Sequence, residues 1–403
     1  MLIRLPSVAL LFLLISATEL TAKSGCFEGL EQRMLQLVGN GAAPGIHVRI
    51  DHDGEVIFDK VTGDLRPGAD GKAPLPDDAI YRIYSMTKPI TSVAAMMLVE
   101  EGRLKLEDPV SKYLPRFADM QVSTLTGSEP AERPITILDL LRHTSGIPYG
   151  FFGIGQTRFA YEAADIGSWD DSNQVLVDKI TAIPLEHQPG TVWEYSFSTD
   201  VLGRVIEVIE GRDLDEVFRD RILNPLGMTD TGFRIDPVER GRIAEAHDFL
   251  SDYTSKRAFL SGGGGLASTM DDYHRFTRMI RNGGELEGVR LLKPETVELM
   301  RKDHVFAAGL EKGKYFIPGS GHGFGLGFGV KLEDTFGALA GPVGTIYWGG
   351  YAGTTFWIDP LNDLIVIVMV QTSSERMLVR TAIRQAVYSV FSNGPEPGMD
   401  CGG

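Results

Sequence analysis

Apolar and polar residues recur with two different periods along the chain, and the change of period divides it. Phe27 to Val38 repeats its apolar residues at helical spacing and predicts a first helix. Ile46 to Ile50 and Val56 to Val61 are β-prone runs on either side of the turn dipeptide Asp53-Gly54, which predicts a hairpin. Ala79 to Ile83 has the composition of another short strand. Val93 to Val99 is apolar all round and is stopped by Gly102, so it predicts a buried helix rather than an amphipathic one. From Asp108 to about Ser320, helices and irregular loops dominate. Thr136 to His143 is one such helix, with Thr136 and Asp139 spaced as a cap pair and Gly146 past its end. Asp200 to Glu210 is another, with Val201, Leu202, Val205, Ile206 and Ile209 on one face and Gly211 as its stop.

The tail returns to strand patterns at Gly325 to Val330, Gly344 to Trp348, Thr354 to Ile358 and Leu364 to Val370. Asp359-Pro360-Leu361-Asn362-Asp363 turns between the last two, and Arg376 to Phe391 closes the chain as a helix. Strands at both ends with helices between predict an α+β fold. Its antiparallel sheet is flanked by helices and completed by the C-terminus, and a mostly helical domain is inserted in the middle. Residues 23–107 and 321–395 would form the discontinuous α/β domain, 108–320 the helical one and 396–403 a flexible tail, with an active site in the cleft between domains.

Composition narrows the function. At 403 residues and 43% hydrophobic the chain can bury a full core, as a soluble globular protein. Its net charge of -15 repels polyanions and argues against nucleic acid or anionic membranes as partners. Arg4, the apolar run Val8 to Ile15 and Ala17 or Ala22 make residues 1–22 an expected export signal, too short to span a membrane. The mature chain is then periplasmic or secreted with no stable membrane insertion. An uncleaved anchor and a misassigned start, the latter leaving a cytoplasmic protein, are the other readings. Ser24-Gly25-Cys26 has the outline of a lipoprotein box, but Lys23 stands where an apolar residue is wanted, so lipidation is not expected. The two cysteines, Cys26 and Cys401, either bridge the termini or are unpaired thiols. Nothing in the sequence indicates an oligomeric state.

The candidate chemistry begins at Ser85-Met86-Thr87-Lys88, the one SxxK in the chain, at the head of the buried helix. At this spacing the two side chains share a face, and an amine beside a serine hydroxyl can activate it as a nucleophile. Read alone, the same four residues are also a serine cap followed by a solvated lysine. Pro189-Gly190-Thr191-Val192-Trp193-Glu194-Tyr195-Ser196-Phe197 ends just before a helix. Tyr195 there is either a packing residue or a proton-transfer phenol, whose pKa a nearby ammonium would lower from about 10. Tyr347-Trp348-Gly349-Gly350-Tyr351-Ala352-Gly353 is either a tight turn or a strand end whose N–H groups can polarise a carbonyl.

Together these residues resemble the superfamily of serine β-lactamases and D-Ala-D-Ala carboxypeptidases. Within it they are most similar to the class C-like esterases known as family VIII carboxylesterases. The resemblance runs from about Phe27 to Phe391. It implies a β-lactamase/transpeptidase-like fold, Ser85 as nucleophile and Lys88 as base, with Tyr195 supplied by a PGTxWxYS run. It also implies a third motif at Trp348-Gly349-Gly350, an oxyanion site made by the N–H groups of Ser85 and Tyr351, and no metal or cofactor. Leu140-Leu141-Arg142-His143-Thr144-Ser145-Gly146 and Ser261-Gly262-Gly263-Gly264-Gly265-Leu266 resemble its structural signatures.

Two departures bear on substrate. Phe197 stands where the lactamases and peptidases carry an asparagine, and Trp348 where they carry a lysine or histidine. Both put apolar surface in place of polar recognition, which suits a neutral small-molecule ester. The aromatic loop Tyr149, Phe151, Phe152, Phe159 and Tyr161 packs in the core or lines the acyl pocket, with Tyr149 and Phe152 the candidates for contact. His143 reads as a helix-end hydrogen-bonding residue, and Ser268 with Asp271 as the cap of the helix after the glycine run. No GxSxG and no HExxH occurs, which excludes an α/β-hydrolase elbow and that zinc motif. The expectation is a serine carboxylesterase acting through an acyl-enzyme. A β-lactamase or D-Ala-D-Ala peptidase is the enzymatic alternative, and a non-catalytic penicillin-binding-like sensor the other. Whether Lys88 or Tyr195 is the base in each step stays open.

Overall fold

Leu364 to Val370 is apolar at every position, and a strand without alternation must be covered on both faces. The computed structural model describes residues 26–392 other than 69, 70, 72, 256 and 336–338. The expected export segment and Cys401 lie outside the described residues. In chain order, the elements that position the site are α1 (Glu28–Gly39), β1 (Gly45–His52), β2 (Glu55–Gly63), β3 (Tyr81–Arg82), α2 (Thr87–Glu100), α3 (Ile137–Leu141), α4 (Ser198–Glu210), β4 (Ala267–Ser268), α5 (Met270–Arg281), β5 (His322–Phe324), β6 (Gly329–Lys331), β7 (Ile346–Gly349), β8 (Gly353–Asp359), β9 (Leu364–Gln371) and α6 (Arg376–Ser392).

Seven strands form one antiparallel sheet in the order β5-β6-β7-β8-β9-β1-β2, so the C-terminal strands complete the sheet that the N-terminal hairpin begins. Side chains of β9 point alternately to two cores. Leu364, Val366, Val368 and Val370 meet Leu30 and Met34 of α1 and Val379 and Ile383 of α6. Ile365, Ile367 and Met369 join the larger core with Ile90 and Val93 of α2 and Phe276 of α5. Helix α2 is buried around nearly its whole circumference, as its sequence requires. Helix α3 carries the expected capping box between Thr136 and Asp139, and α4 ends on Gly211 in the left-handed conformation. Among the described residues no helix is long and apolar enough to cross a membrane.

Three expectations are corrected. The run Gly325 to Val330 is not one strand. Gly325 N–H bonds back to Phe328 O at 2.8 Å and Gly327 takes φ +100°, so the chain reverses between β5 and β6. The strand at Ala79 to Ile83 shrinks to β3, which pairs with β4 instead of the main sheet. Arg82 is buried there and donates to Ala244 O at 3.0 Å. The helix after the glycine run is capped by Thr269, whose Oγ1 accepts from Asp272 N–H at 3.3 Å. Ser268 belongs to β4.

Candidate active site

Ser85 occupies a single 3-10 turn, Tyr84–Met86, and α2 begins two residues later. Pro89 falls in the first turn of α2, where a missing N–H leaves no ladder bond unmade. Tyr84 adopts φ +43°, a conformation that is costly for a bulky side chain and persists only where its surroundings enforce it. Those surroundings include ring contacts with Tyr351 and Tyr253, at 5.6 and 6.0 Å between centroids. Ile83 N–H donates to Leu266 O at 3.1 Å, and Tyr273 Oη donates to Met86 O at 3.0 Å, so the turn is pinned on both sides of Ser85.

Lys88 lies one helical turn from Ser85 and is 0% exposed. An ammonium has three donors, and here three acceptors surround it: Gly263 O at 2.7 Å, Tyr149 Oη at 2.9 Å and Ser85 Oγ at 3.5 Å. Its Nζ also lies 4.6 Å from the ring centre of Tyr195. The glycine run is the wall along this end of α2. Gly262 O accepts from Thr91 Oγ1 at 2.6 Å, and Leu266 N–H donates to Thr87 Oγ1 at 3.1 Å. A Cβ on Gly263 would fall 2.3 Å from the Asp200 carboxylate, so contact rather than phosphate binding accounts for glycine there. Asp200, in the first turn of α4, accepts from Ser261 Oγ at 2.5 Å and from Gly263 N–H at 3.0 Å. Burial pushes its carboxyl up, while Lys88 and these two bonds oppose that.

Two tyrosines flank the lysine. Tyr149 accepts the Lys88 bond, and burial, with the charges of Asp200 and Tyr195, pushes its phenol well above the ordinary range. It therefore stays a neutral acceptor. Tyr195 is 6% exposed, and its hydroxyl has no hydrogen-bond partner among the described residues. Its ring sits among those of Tyr149 at 5.2 Å, His143 at 5.1 Å and Trp348 at 5.5 Å. His143 is the helix-end residue expected, with Nδ1 2.9 Å from Ser196 Oγ and its carbonyl accepting from Glu194 N–H at 2.9 Å. Burial pulls its pKa well down and the Lys88 charge adds to that, so it is neutral beside the lysine. Ser196, Ser198 and Ser145 continue the chain of hydroxyls at 2.7 Å each, joining the two signature loops. Arg158 joins them again, donating to Tyr149 O at 3.1 Å and to Glu194 Oε1 at 2.7 Å.

At the end of β7, the two glycines of Trp348-Gly349-Gly350 have separate reasons. A Cβ on Gly350 would lie 2.3 Å from Ile83 O, so this turn abuts the segment just ahead of Ser85. One on Gly349 would lie 2.6 Å from the Arg380 guanidinium carbon. Tyr351 follows on the turn, 48% exposed. Trp348 and Phe197 are 4% and 6% exposed, and Phe197 packs edge-on against Tyr149 at 4.5 Å. Phe152 is partly buried near Tyr149 and Tyr195, at 6.2 and 6.1 Å. Ser85, Tyr149 and Tyr195 thus meet Lys88 directly, Phe197, Phe152 and Trp348 pack on those tyrosines, and Gly350 and Tyr351 abut the Ile83–Tyr84 segment ahead of Ser85. Sequence reasoning missed Asp200, the Gly263 carbonyl and Arg380. The signals that could have found the first two were a carboxylate in the first turn of an apolar helix and a glycine run with no phosphate motif.

The chain matches the Beta-lactamase family over residues 30–388. It is 38% identical to Protein Rv1367c of Mycobacterium tuberculosis over 327 residues, which are 75% of this chain and 80% of that one. It is 30% identical to Esterase EstB of Burkholderia gladioli, covering 93% of this chain and 97% of that one. Among solved structures it is similar to EstCE1, a hydrolase with promiscuous acyltransferase activity. That match has a TM-score of 0.79 and 27% identity, over 91% of this chain and all of that one. With an esterase among its relatives and this fold around its core, the chain belongs to the beta-lactamase family and is a serine hydrolase.

Proposed function

We propose that the protein is a carboxylesterase that hydrolyses small or short-chain carboxylic esters through an acyl-enzyme on Ser85. The observation that carries this reading is the apolar wall. Trp348 and Phe197 pack against Tyr195 and Tyr149, the two rings that flank Lys88. A neutral ester loses nothing against that wall, whereas a carboxylate or amide held against Trp348 and Phe197 meets ring faces in place of a charged or polar side chain, forfeiting about 1.5 to 3 kcal/mol. Similarity to Esterase EstB supports the same substrate class.

Ser85 Oγ bonds to the ester carbonyl carbon, the π pair moves onto the carbonyl oxygen, and the serine proton passes to the Lys88 and Tyr195 pair. The N–H groups of Ser85 and Tyr351 hold the oxyanion. Collapse restores the carbonyl and breaks the bond to the alkoxide, which takes the proton and leaves the acyl group on Ser85. Water then attacks the acyl carbon, giving its proton to the same pair, and that proton returns to Ser85 Oγ as the acid departs. Lys88 has its donors spent on Gly263, Tyr149 and Ser85, so Tyr195, whose hydroxyl has no hydrogen-bond partner among the described residues, is the group left to receive the proton, which it does as the phenolate.

Parallel turnover of p-nitrophenyl acetate, butyrate and octanoate and of a chromogenic cephalosporin tests the assignment. The expected order is the short esters first and the cephalosporin far behind. Cephalosporin hydrolysis as efficient as that of the butyrate would replace the esterase with a β-lactamase.

A further inference from the structure

Arg380, on α6, is a cation with no carboxylate partner among the described residues. Its Nε donates to Gly353 O at 3.1 Å, and its Nη2 donates to Thr354 O at 2.9 Å and to Gly350 O. All three acceptors are main-chain carbonyls, and among the described residues no carboxylate acts on it. Enclosure pulls its pKa down to about 10, Arg376 adds to that pull and Tyr195 opposes it. Arg380 is half-buried, so part of its guanidinium still meets water while Nε and Nη2 are committed to these three carbonyls. Gly349 lies against it, since a Cβ there would fall 2.6 Å from the guanidinium carbon and displace it.

One of the three acceptors has a chemical consequence. Gly350 C=O and Tyr351 N–H belong to the same peptide group, and the amide is conjugated. A charged donor on that oxygen draws density from the nitrogen and makes the N–H a stronger donor on the opposite side. We infer that Arg380 is a positioning residue of the oxyanion site, polarising the Tyr351 N–H through the Gly350–Tyr351 peptide while its other two bonds hold the turn. The inference rests on the reading in which that N–H faces the oxyanion. Its effect belongs to the transition state, because the ester oxygen carries little charge until Ser85 attacks.

The test compares Arg380→Met and Arg380→Lys, each checked for folding by thermal midpoint, using p-nitrophenyl butyrate and phenylboronic acid. The boronate takes Ser85 Oγ onto boron, becomes a tetrahedral anion and so reports on oxyanion stabilisation without turnover. Arg380→Met is expected to lower kcat by about tenfold to a hundredfold, less than or equal to the loss of one oxyanion donor. KM should be nearly unchanged, and the boronate inhibition constant should rise in the same proportion as kcat falls. Arg380→Lys keeps a charge near Gly350 O and should recover part of both losses. An unchanged kcat in folded Arg380→Met overturns the inference, as does a KM that weakens in step with the boronate, which is the mark of a merely displaced turn. If Arg380→Met does not fold, Arg380→Lys decides: a loss of about a hundredfold or more in a folded lysine variant rules out the charge, and a smaller one sustains it. Activity that survives Ser85→Ala would instead overturn the serine-hydrolase reading, whatever Arg380 does.

Discussion

Lys88 donates from Nζ to Tyr149 Oη at 2.9 Å, a shorter contact than its 3.5 Å approach to Ser85 Oγ. The lysine is thus held by a residue other than the one it is meant to assist. Tyr149→Phe keeps the ring and its packing on Phe197 but removes the acceptor. Such a bond to a charged group contributes about 1.5 to 3 kcal/mol to stability, so the thermal midpoint should fall, and kcat should fall by roughly ten- to a hundredfold as the lysine loses its anchor. Loss as large as in Tyr195→Phe would mean that Tyr149 carries protons as well.

Tyr195→Phe and Lys88→Ala should each lower kcat by several orders of magnitude, and the double variant should be little worse than either. Groups that move one proton as a unit behave in this non-additive way. Lys88 Nζ lies 4.6 Å from the Tyr195 ring centre, so a charge on it acts on that ring. Losses that simply multiply in a double-mutant cycle would show two independent roles.

The apolar wall gives a specificity prediction. Phe197→Asn combined with Trp348→Lys should raise the ratio of cephalosporin to butyrate turnover. Absolute rates and stability should fall, because both positions are nearly closed to solvent among aromatic rings. A ratio that stays constant in the folded double variant would remove these two residues as the cause of ester preference.

Much of this site was legible because its chemistry is carried by local spacing. Ser85 and Lys88 are three residues apart, from a 3-10 turn into a helix whose apolar run is plain, and Thr136 with Asp139 and Asp200 to Glu210 obey capping and amphipathic rules. What was missed depends on contacts between distant segments. The Gly263 carbonyl reaches Lys88 across 175 positions, and Arg380 meets Gly350 across 30. No local pattern encodes either contact. The division of Gly325 to Val330 into two strands was hidden for a related reason. Met300 O lies 2.1 Å from where a Cβ on Gly325 would be, so a distant segment decides how that glycine folds.

Acid should loosen the start of α6. Asp248 accepts from Ser374 N–H at 2.9 Å, Ser373 Oγ at 2.8 Å and Ser373 N–H at 3.0 Å, just ahead of the helix that carries Arg380. The Ser374 N–H bond, followed by the Ser373 hydroxyl, holds its carboxyl down to about 2, against an ordinary value of 3.8. Between those values the unfolded chain binds the proton and the folded one does not. The contribution is therefore fully present above about pH 4 and lost as pH falls towards 2. Asp248→Asn keeps one acceptor oxygen but removes the charge at the helix start, and should cost up to about 1 kcal/mol at pH 7. Its thermal midpoint should converge on that of the wild type as pH is lowered through this window. A gap that persists at the acid end would show that the carboxylate charge is not what holds the helix start.

Nucleophilic attack by Ser85 is the claim on which the proposed chemistry depends, and covalent labelling tests it most directly. The protein should be treated with a fluorophosphonate, digested and mapped by mass spectrometry, with Ser85→Ala handled in parallel. A single adduct on Ser85, together with no label and less than about a hundredth of the butyrate turnover in Ser85→Ala, is the predicted result. An adduct on any other residue, or turnover that survives in Ser85→Ala, would contradict it.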